Sequence, residues 1–491
     1  MARILAGAAT VTLAGLVIGR HARLTSASVV EKDSAGLAGQ GAADRAAPCT
    51  TCEEVENHGL LQLVVDPRLL ALRRAAAGGT VENADSGAKV STADLTCKAK
   101  LLSDPECCLD QTPAIHVRSR NISRDHTAWT CDTSNDCNDT YVGTRGKDAL
   151  WWPDGADCSS PRIVFVHGGG WTGASPFTSG YNVLASKLAK LSGAVVLAID
   201  YPLVPVGNYS AILHAGLQAL EWLSMHGPDG QDCPMSMHAP LFIGGDSSGG
   251  GSALSVLFEA QSRRELRKAV AGAFAWSPWT NLMCDTPTYW SNSFSMIPNM
   301  TSEALAARGD IIFTDPPTKG SRQYYEDAVR YLAGQKHLLK DPVASPYFAS
   351  DDQLSRLPPL YLTVGGAELL KGDSGIIGER ALQRGAPVVV DIFDGMWHDF
   401  PMYSEGCGGK TELWQGVVAL HRTAEFIASA GIFWRKHGRR AQAMGAGIRT
   451  FYPNSDGSGP LVPPEPIRFN LGTTLNYTVQ AAAPLHESGS P

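Results

Sequence analysis

The sequence predicts an α/β fold, with a mostly parallel sheet covered by helices on both faces and a cap over its C-terminal edge. Three observations predict it. After Pro161, short apolar runs alternate with amphipathic helical stretches, the pattern of a parallel sheet buried on both sides. Two of those runs end in glycine-rich turns, His167-Gly168-Gly169-Gly170-Trp171 and Gly245-Asp246-Ser247-Ser248-Gly249. Hydrophobic residues make up 44% of the 491 residues and charged ones 18%, enough apolar material for a large core.

The elements follow in order. Arg3 precedes an apolar run from Ile4 to Ile18, closed by Arg20, His21 and Arg23. That run suits a signal-peptide core and is short for a membrane span, so residues 1–28 are expected to be a signal peptide or an uncut anchor. No acidic residue precedes Glu31, which keeps an organelle transit peptide open as the alternative. Residues 29–56 read as a linker and 57–160 as an N-terminal cap helix around Asp66-Pro67 plus a Cys-rich insertion with a few short strands.

The catalytic domain is expected over 161–438. Its strands are Arg162–His167, Ala194–Asp200, Leu241–Gly244, Val270–Trp276, Leu360–Val364 and Val388–Phe393. Its helices are Tyr181–Leu191, Ser210–His226, Gly251–Ala260, Ser374–Gln383 and Leu413–Ala428. The block 282–357 breaks the alternation and reads as a cap insertion, and 439–491 as a loosely held Pro/Gly-rich tail.

Eight of the eleven cysteines precede Pro161, and an odd count leaves at least one thiol free or paired between chains. Asn-X-Ser/Thr sites stand at Asn121, Asn138, Asn208, Asn299 and Asn476. With the leader, they point to the secretory pathway, with the product secreted or membrane-anchored through the apolar segment. The net charge of −7 gives no footprint for nucleic acid. No metal is expected: Asp132, Ser134 and Asp136 lack the glycine and closing glutamate of a calcium loop, and Cys49/Cys52 have no second pair at ligand spacing.

The chemistry concentrates in three places. Gly-x-Ser-x-Gly between a strand and a helix lifts a serine hydroxyl above the sheet edge, where a neighbouring base can activate it; this is Ser247. The glycine loop after the Arg162–His167 strand offers amides to a tetrahedral oxyanion, from Gly168, Gly169 and Gly170 together with Ser248. The base must come late in the chain, and His398 in Gly395-Met396-Trp397-His398-Asp399-Phe400 stands just past the last strand. The acid lies between them after a strand. Glu368 fits, with Asp373 as its rival, while Asp394 and Asp399 read as turn or capping residues. Trp171, Trp279 and Trp397 are candidates for lining an acyl pocket, with core packing as the plain alternative.

From Asp66-Pro67 and then from Pro161 to about Ala428, the chain resembles the hormone-sensitive-lipase-like esterases of the α/β-hydrolase fold, the group that includes arylacetamide deacetylases. His-Gly-Gly-Gly-Trp, Gly-Asp-Ser-Ser-Gly-Gly, Asp200-Tyr201, Ser277-Pro278-Trp279, Asp341-Pro342-Val343-Ala344-Ser345-Pro346, Leu357-Pro358-Pro359 and Gly-Met-Trp-His-Asp-Phe carry the likeness. The resemblance implies ester or amide cleavage without metal or cofactor, and oxyanion donors at Gly169, Gly170 and Ser248. Two positions depart from the pattern: Glu368 stands where the family usually has Asp, and Pro202 where it usually has Arg.

The expectation is therefore an eight-strand-type sheet carrying a serine carboxylic ester hydrolase. It would act through an acyl-enzyme on short-to-medium acyl esters or lipids. An acyltransferase using the same acyl-enzyme, and a catalytically silent secreted binding module, are the alternatives.

Overall fold

The computed structural model describes residues 114, 116–123, 129–131, 137–139, 147–177, 179–233, 239–292, 310–312, 317–404, 413–437, 442–444, 447–451 and 467–470. The leader, the linker, the expected cap helix at 57–77 and the sequons at Asn299 and Asn476 lie outside them.

Thirteen strands occur among the described residues. They are β1 (Val117–Ser123), β2 (Trp129–Cys131), β3 (Cys137–Asp139), β4 (Lys147–Pro153), β5 (Arg162–Val166), β6 (Val195–Ile199), β7 (Leu241–Asp246), β8 (Val270–Trp276), β9 (Leu360–Gly365), β10 (Val388–Phe393), β11 (Gln442–Met444), β12 (Gly447–Phe451) and β13 (Arg468–Asn470). Nine of them form one sheet in the order β1-β4-β6-β5-β7-β8-β9-β10-β12. From β6 to β12 every neighbouring pair is parallel, and β4 and β1 add antiparallel pairings at one edge. The residues of β5, β6, β7, β8, β9 and β10 are buried throughout, as strands sandwiched between two helical layers must be.

The helices that matter to the site are α1 (Ser179–Ser192), α2 (Tyr209–Met225), α3 (Ser247–Ser262), α4 (Thr288–Ser291), α5 (Pro317–Tyr331), α6 (Lys371–Gln383) and α7 (Trp414–His437). Leu220, Leu254 and Ile377 of α2, α3 and α6 pack into the core on one face of the sheet. Leu188, Leu420 and Ile427 of α1 and α7 fill the core on the other. Asn208 starts α2 as its N-cap, its side chain accepting from the Ala211 amide at 3.1 Å.

Both expected edges of the catalytic domain need correction. The 57–160 region was expected to be cap and insertion, yet β1 and β4 within it belong to the main sheet. The apolar run Ala149-Leu150-Trp151-Trp152 is buried there, because β4 completes the sheet beside β6. The tail was expected to be loose, yet β12 pairs with β10 and Phe451 stacks on Phe393. Its alternating burial, one face on the sheet's neighbours and one outward, is an edge-strand pattern too short to read in sequence. The sheet accordingly has nine strands rather than eight.

Candidate active site

Parallel strands deliver their following loops to one edge, and the residues of the site arrive there from different strands. His167–Trp171 follows β5, Ser247 follows β7, Ser277 follows β8, Glu368 follows β9 and His398 follows β10. The sheet thus gathers groups far apart in sequence.

Ser247 sits at the β7–α3 turn with φ at 52°, a left-handed conformation that costs a non-glycine residue energy and marks a strained elbow. The elbow closes tightly on the neighbouring strand end. A Cβ at Gly249 would fall onto the carbonyl oxygens of Val166 and His167, so the close approach admits glycine alone. The Ser247 carbonyl accepts from the Trp279 amide at 2.9 Å, which ties the elbow to the Ser277-Pro278-Trp279 turn. The hydroxyl then lies 2.9 Å from His398 Nε2.

The glycine loop is pinned from beneath. The Gly168 amide donates to Asp246 Oδ1 at 3.1 Å and to the Tyr181 hydroxyl at 3.0 Å, and Tyr181 donates to Asp246 Oδ2 at 2.6 Å. Gly168 is therefore removed from the expected set of oxyanion donors, since its N–H is spent on fixing the loop. Tyr201 adds a bond from its hydroxyl to the His167 carbonyl at 2.7 Å. No hydrogen bond among the described residues engages the amides of Gly169, Gly170 or Ser248. Gly169, with φ at 104°, turns the chain as a side chain would not permit.

The basic half is crowded with carboxylates. Glu368 is fully buried and its Oε2 lies 3.8 Å from His398 Nδ1, longer than a hydrogen bond. Ser277 donates to the same oxygen at 2.6 Å and accepts from the Asp399 amide at 3.1 Å. Asp399 Oδ2 lies 3.0 Å from His398 Nε2, the nitrogen that also faces Ser247. Asp399 was read as a turn residue. Its left-handed backbone does make it one, but its carboxylate also reaches the imidazole. Asp310, from the insertion, accepts from the His398 amide at 2.9 Å.

These neighbours set the charge. Burial alone would lower the His398 pKa, but Asp399 first, then Glu368 and Asp310, raise it to about 10. Burial in turn pushes the carboxyls of Glu368, Asp310, Asp399 and Asp246 upward, against the pull of His398. The other buried imidazole, His167, is driven by burial down to about 4 and stays neutral at ordinary pH. Asp373 stands apart from His398. It accepts from the Asn281 amide at 3.0 Å and from Thr286 and Tyr289 at 3.2 Å each, and burial raises it to about 8.

Similarity to known proteins agrees with this fold. Residues 163–402 match the family described as the alpha/beta hydrolase fold. An acetyl-hydrolase of Streptomyces hygroscopicus is 28% identical over 263 residues, covering 53% of this chain and 75% of the relative. An esterase of Acinetobacter venetianus is 28% identical over 264 residues, covering 54% and 74%. The crystal structure of carboxyl esterase 2 from the fungus Tuber melanosporum matches with a TM-score of 0.50 at 21% identity, covering 70% of this chain and 99% of that one, a likeness of fold.

Residues 163–402 carry the α/β-hydrolase fold. With relatives named acetyl-hydrolase and esterase, the chain is an esterase-type hydrolase of this fold.

In this hydrolase the three tryptophans divide. Trp171 stacks on Tyr331 at 3.8 Å and on Trp279 at 4.6 Å, and its indole donates to Ser252 at 3.0 Å. Helix α5 of the insertion thus packs its Tyr331 onto the glycine-loop tryptophan. Trp397 belongs to the core on the opposite face of the sheet, beside Tyr403. All three are buried, as the packing alternative expects.

Sequence reasoning passed over Tyr181, Asp246, Ser277 and Asp310 as site residues. Asp246 and Ser277 sat inside quoted motifs, so their signal was present. Tyr181 reads as one apolar position of a helix and Asp310 lies in a stretch without a motif, so neither carried any. Of the sequons, Asn121 is exposed on β1, Asn208 caps α2, and Asn138 lies on β3. Cys158 and Cys233 form a disulfide, and Cys284 is a buried free thiol. Among the described residues, no helix is long and apolar enough to cross a membrane.

Proposed function

We propose that the chain is a serine carboxylic ester hydrolase with Ser247 as nucleophile, His398 as general base and Glu368 as the acid that orients it. The observation that carries this reading is the 2.9 Å contact between the Ser247 hydroxyl and His398 Nε2, beside a glycine loop with unengaged amides. Ser247 Oγ attacks the ester carbonyl carbon while its proton passes to His398 Nε2. The carbonyl oxygen becomes an oxyanion, received by the amides of Gly169, Gly170 and Ser248. Collapse breaks the ester bond, and the departing alcohol takes the proton from Nε2. A water then gives a proton to Nε2 and attacks the acyl carbon, and Ser247 leaves with that proton as the acid departs.

Glu368 supports the cycle by accepting the Nδ1–H once the 3.8 Å gap closes by about 1 Å, as catalytic hydrogen bonds do on substrate binding. Short-to-medium acyl esters or lipids are the substrate class proposed. Ser247→Ala is expected to abolish hydrolysis of p-nitrophenyl acetate and butyrate and labelling by a fluorophosphonate, with melting temperature unchanged. Residual turnover at the wild-type rate would sink the assignment. Routing through the secretory pathway, to a secreted or anchored product, is part of the same proposal. The Cys158–Cys233 disulfide and exposed Asn121 support it, and an endoglycosidase mobility shift tests it.

A further inference from the structure

We propose that Asp310, together with Asn292, is a positioning clamp by which the cap insertion holds the histidine loop and the acid loop at a fixed separation. The inference rests on the catalytic roles proposed for His398 and Glu368 and adds a pair of residues to them.

Asp310 is fully buried, and each of its two oxygens serves a different loop. Oδ1 accepts from the His398 amide at 2.9 Å and from the Ile311 amide at 2.7 Å. Oδ2 accepts from the Leu369 amide, one residue past Glu368, at 2.7 Å. The Asp310 amide donates to the Asn292 carbonyl at 3.0 Å. The Asn292 side-chain amide in turn donates to the Glu368 carbonyl at 2.8 Å and the Gly366 carbonyl at 3.3 Å.

The chemistry of the site calls for a carboxylate. Backbone N–H groups of His398, Ile311 and Leu369 approach the two Asp310 oxygens, so two acceptor oxygens are needed and an amide supplies one. Buried N–H groups left without an acceptor pull away or cost stability. Asn292 is the complementary half: it supplies donors to the carbonyls of the same acid loop. The pair therefore fixes Leu369 and His398 to one planar group, and with them the distance over which Nδ1 and Oε2 must meet. Asp310 also brings negative charge to the imidazole, alongside Asp399, Glu368 and Asp246. Its role is indirect, since it touches the backbone of His398 and not the ring.

The test compares the full wild-type chain with Asp310→Asn and Asn292→Ala. It reads kcat and KM on p-nitrophenyl butyrate, the pH profile of kcat/KM, fluorophosphonate labelling and melting temperature. Asp310→Asn is expected to lower kcat on the order of a hundredfold through misplacement of the pair, with KM changed by less than about threefold. Its acid limb moves to lower pH, because a charge that favours imidazolium is gone. Asn292→Ala, at a half-buried position, is expected to lower kcat about tenfold and leave the limb in place, because no charge is removed. A folded Asp310→Asn enzyme with wild-type kcat, or with a limb that does not move, overturns the clamp. Should Asp310→Asn not fold, Asn292→Ala with wild-type kcat overturns it instead. A wild-type chain that neither labels nor hydrolyses overturns the proposed function and the clamp together, and the wild-type arm tells the two failures apart.

Discussion

The half of the site around Ser247 and the half around His398 are built on opposite principles. Around Ser247 the contacts are short and closed. Gly245 and Gly249 pack against backbone carbonyls, and Asp246 and Tyr181 fasten the glycine loop with bonds of 2.6 to 3.1 Å. Around His398 the contacts are crowded and unfinished. Its Nδ1 and Glu368 Oε1 have no hydrogen-bond partner among the described residues, and three further carboxylates compete for the ring's charge. A nucleophile must be held rigidly against the site of charge development, whereas a base must take up and release a proton twice per turnover. The difference separates what is fixed by packing from what is tuned by charge.

Changes that break packing should have the largest effect. Gly249→Ala would drive a Cβ into the carbonyls of Val166 and His167, and the elbow cannot yield without moving Ser247. Loss of measurable esterase activity is expected, with destabilisation of about 3 kcal/mol by urea titration. Full activity in this variant would show the elbow to be softer than its contacts indicate. Next comes Glu368→Gln, which keeps the shape and removes the charge that selects the useful imidazole tautomer. A fall in kcat of roughly a thousandfold or more is expected. Asp373→Asn is its control. Asp373 bonds Asn281, Thr286 and Tyr289 and not the histidine, so the folded variant should keep kcat near wild type. If Asp373→Asn lost as much as Glu368→Gln, the two carboxylates would have to exchange roles.

Tyr181→Phe probes the fastening of the glycine loop. The substitution strips the 2.6 Å bond from Asp246 and one acceptor from Gly168, at a cost of about 1–3 kcal/mol in stability. The amides of Gly169, Gly170 and Ser248, proposed as oxyanion donors, are left in place. The loss in kcat should therefore stay well short of the roughly hundredfold that follows removal of an oxyanion donor. Steady-state kinetics and thermal melts on one preparation would separate the two effects.

The packed half was largely legible in the sequence. Gly-x-Ser-x-Gly and His-Gly-Gly-Gly are local, and the reason for each glycine lies within a few residues of the turn that needs it. The placement of Ser247, Glu368 and His398 past β7, β9 and β10 was legible as well, because each follows a strand whose apolar run can be recognised. What escaped was long-range. Tyr181 meets Asp246 across 65 positions and Asp310 meets His398 across 88, and nothing local announces either contact. Gly168 shows the same limit from the other side. It sits within the motif, but whether its amide faces substrate or Asp246 depends on a partner elsewhere in the chain. The outer strands β1, β4 and β12 were missed because their pairing, rather than their periodicity, makes them part of the sheet.

On the alkaline plateau a small effect belongs to Asp399→Asn, and this variant bears most directly on the tuned half. Asp399 Oδ2 lies 3.0 Å from Nε2, on the side of the ring that must accept the serine proton. It cannot orient the tautomer that places a proton on Nδ1; it stabilises the imidazolium that cannot act as base. With His398 raised to about 10, kcat/KM should climb with pH beyond the ordinary imidazole range near 6.5. Asp399 is the largest of the charges raising that value, so replacing it by the neutral amide lowers the His398 pKa and moves the acid limb to lower pH. On the acid side the variant should then exceed wild type in kcat/KM, while kcat on the alkaline plateau changes little. A limb that stays in place would mean that Asp399 carries no charge beside the ring. A plateau that falls as far as in Glu368→Gln would make Asp399, not Glu368, the acid on which the histidine depends.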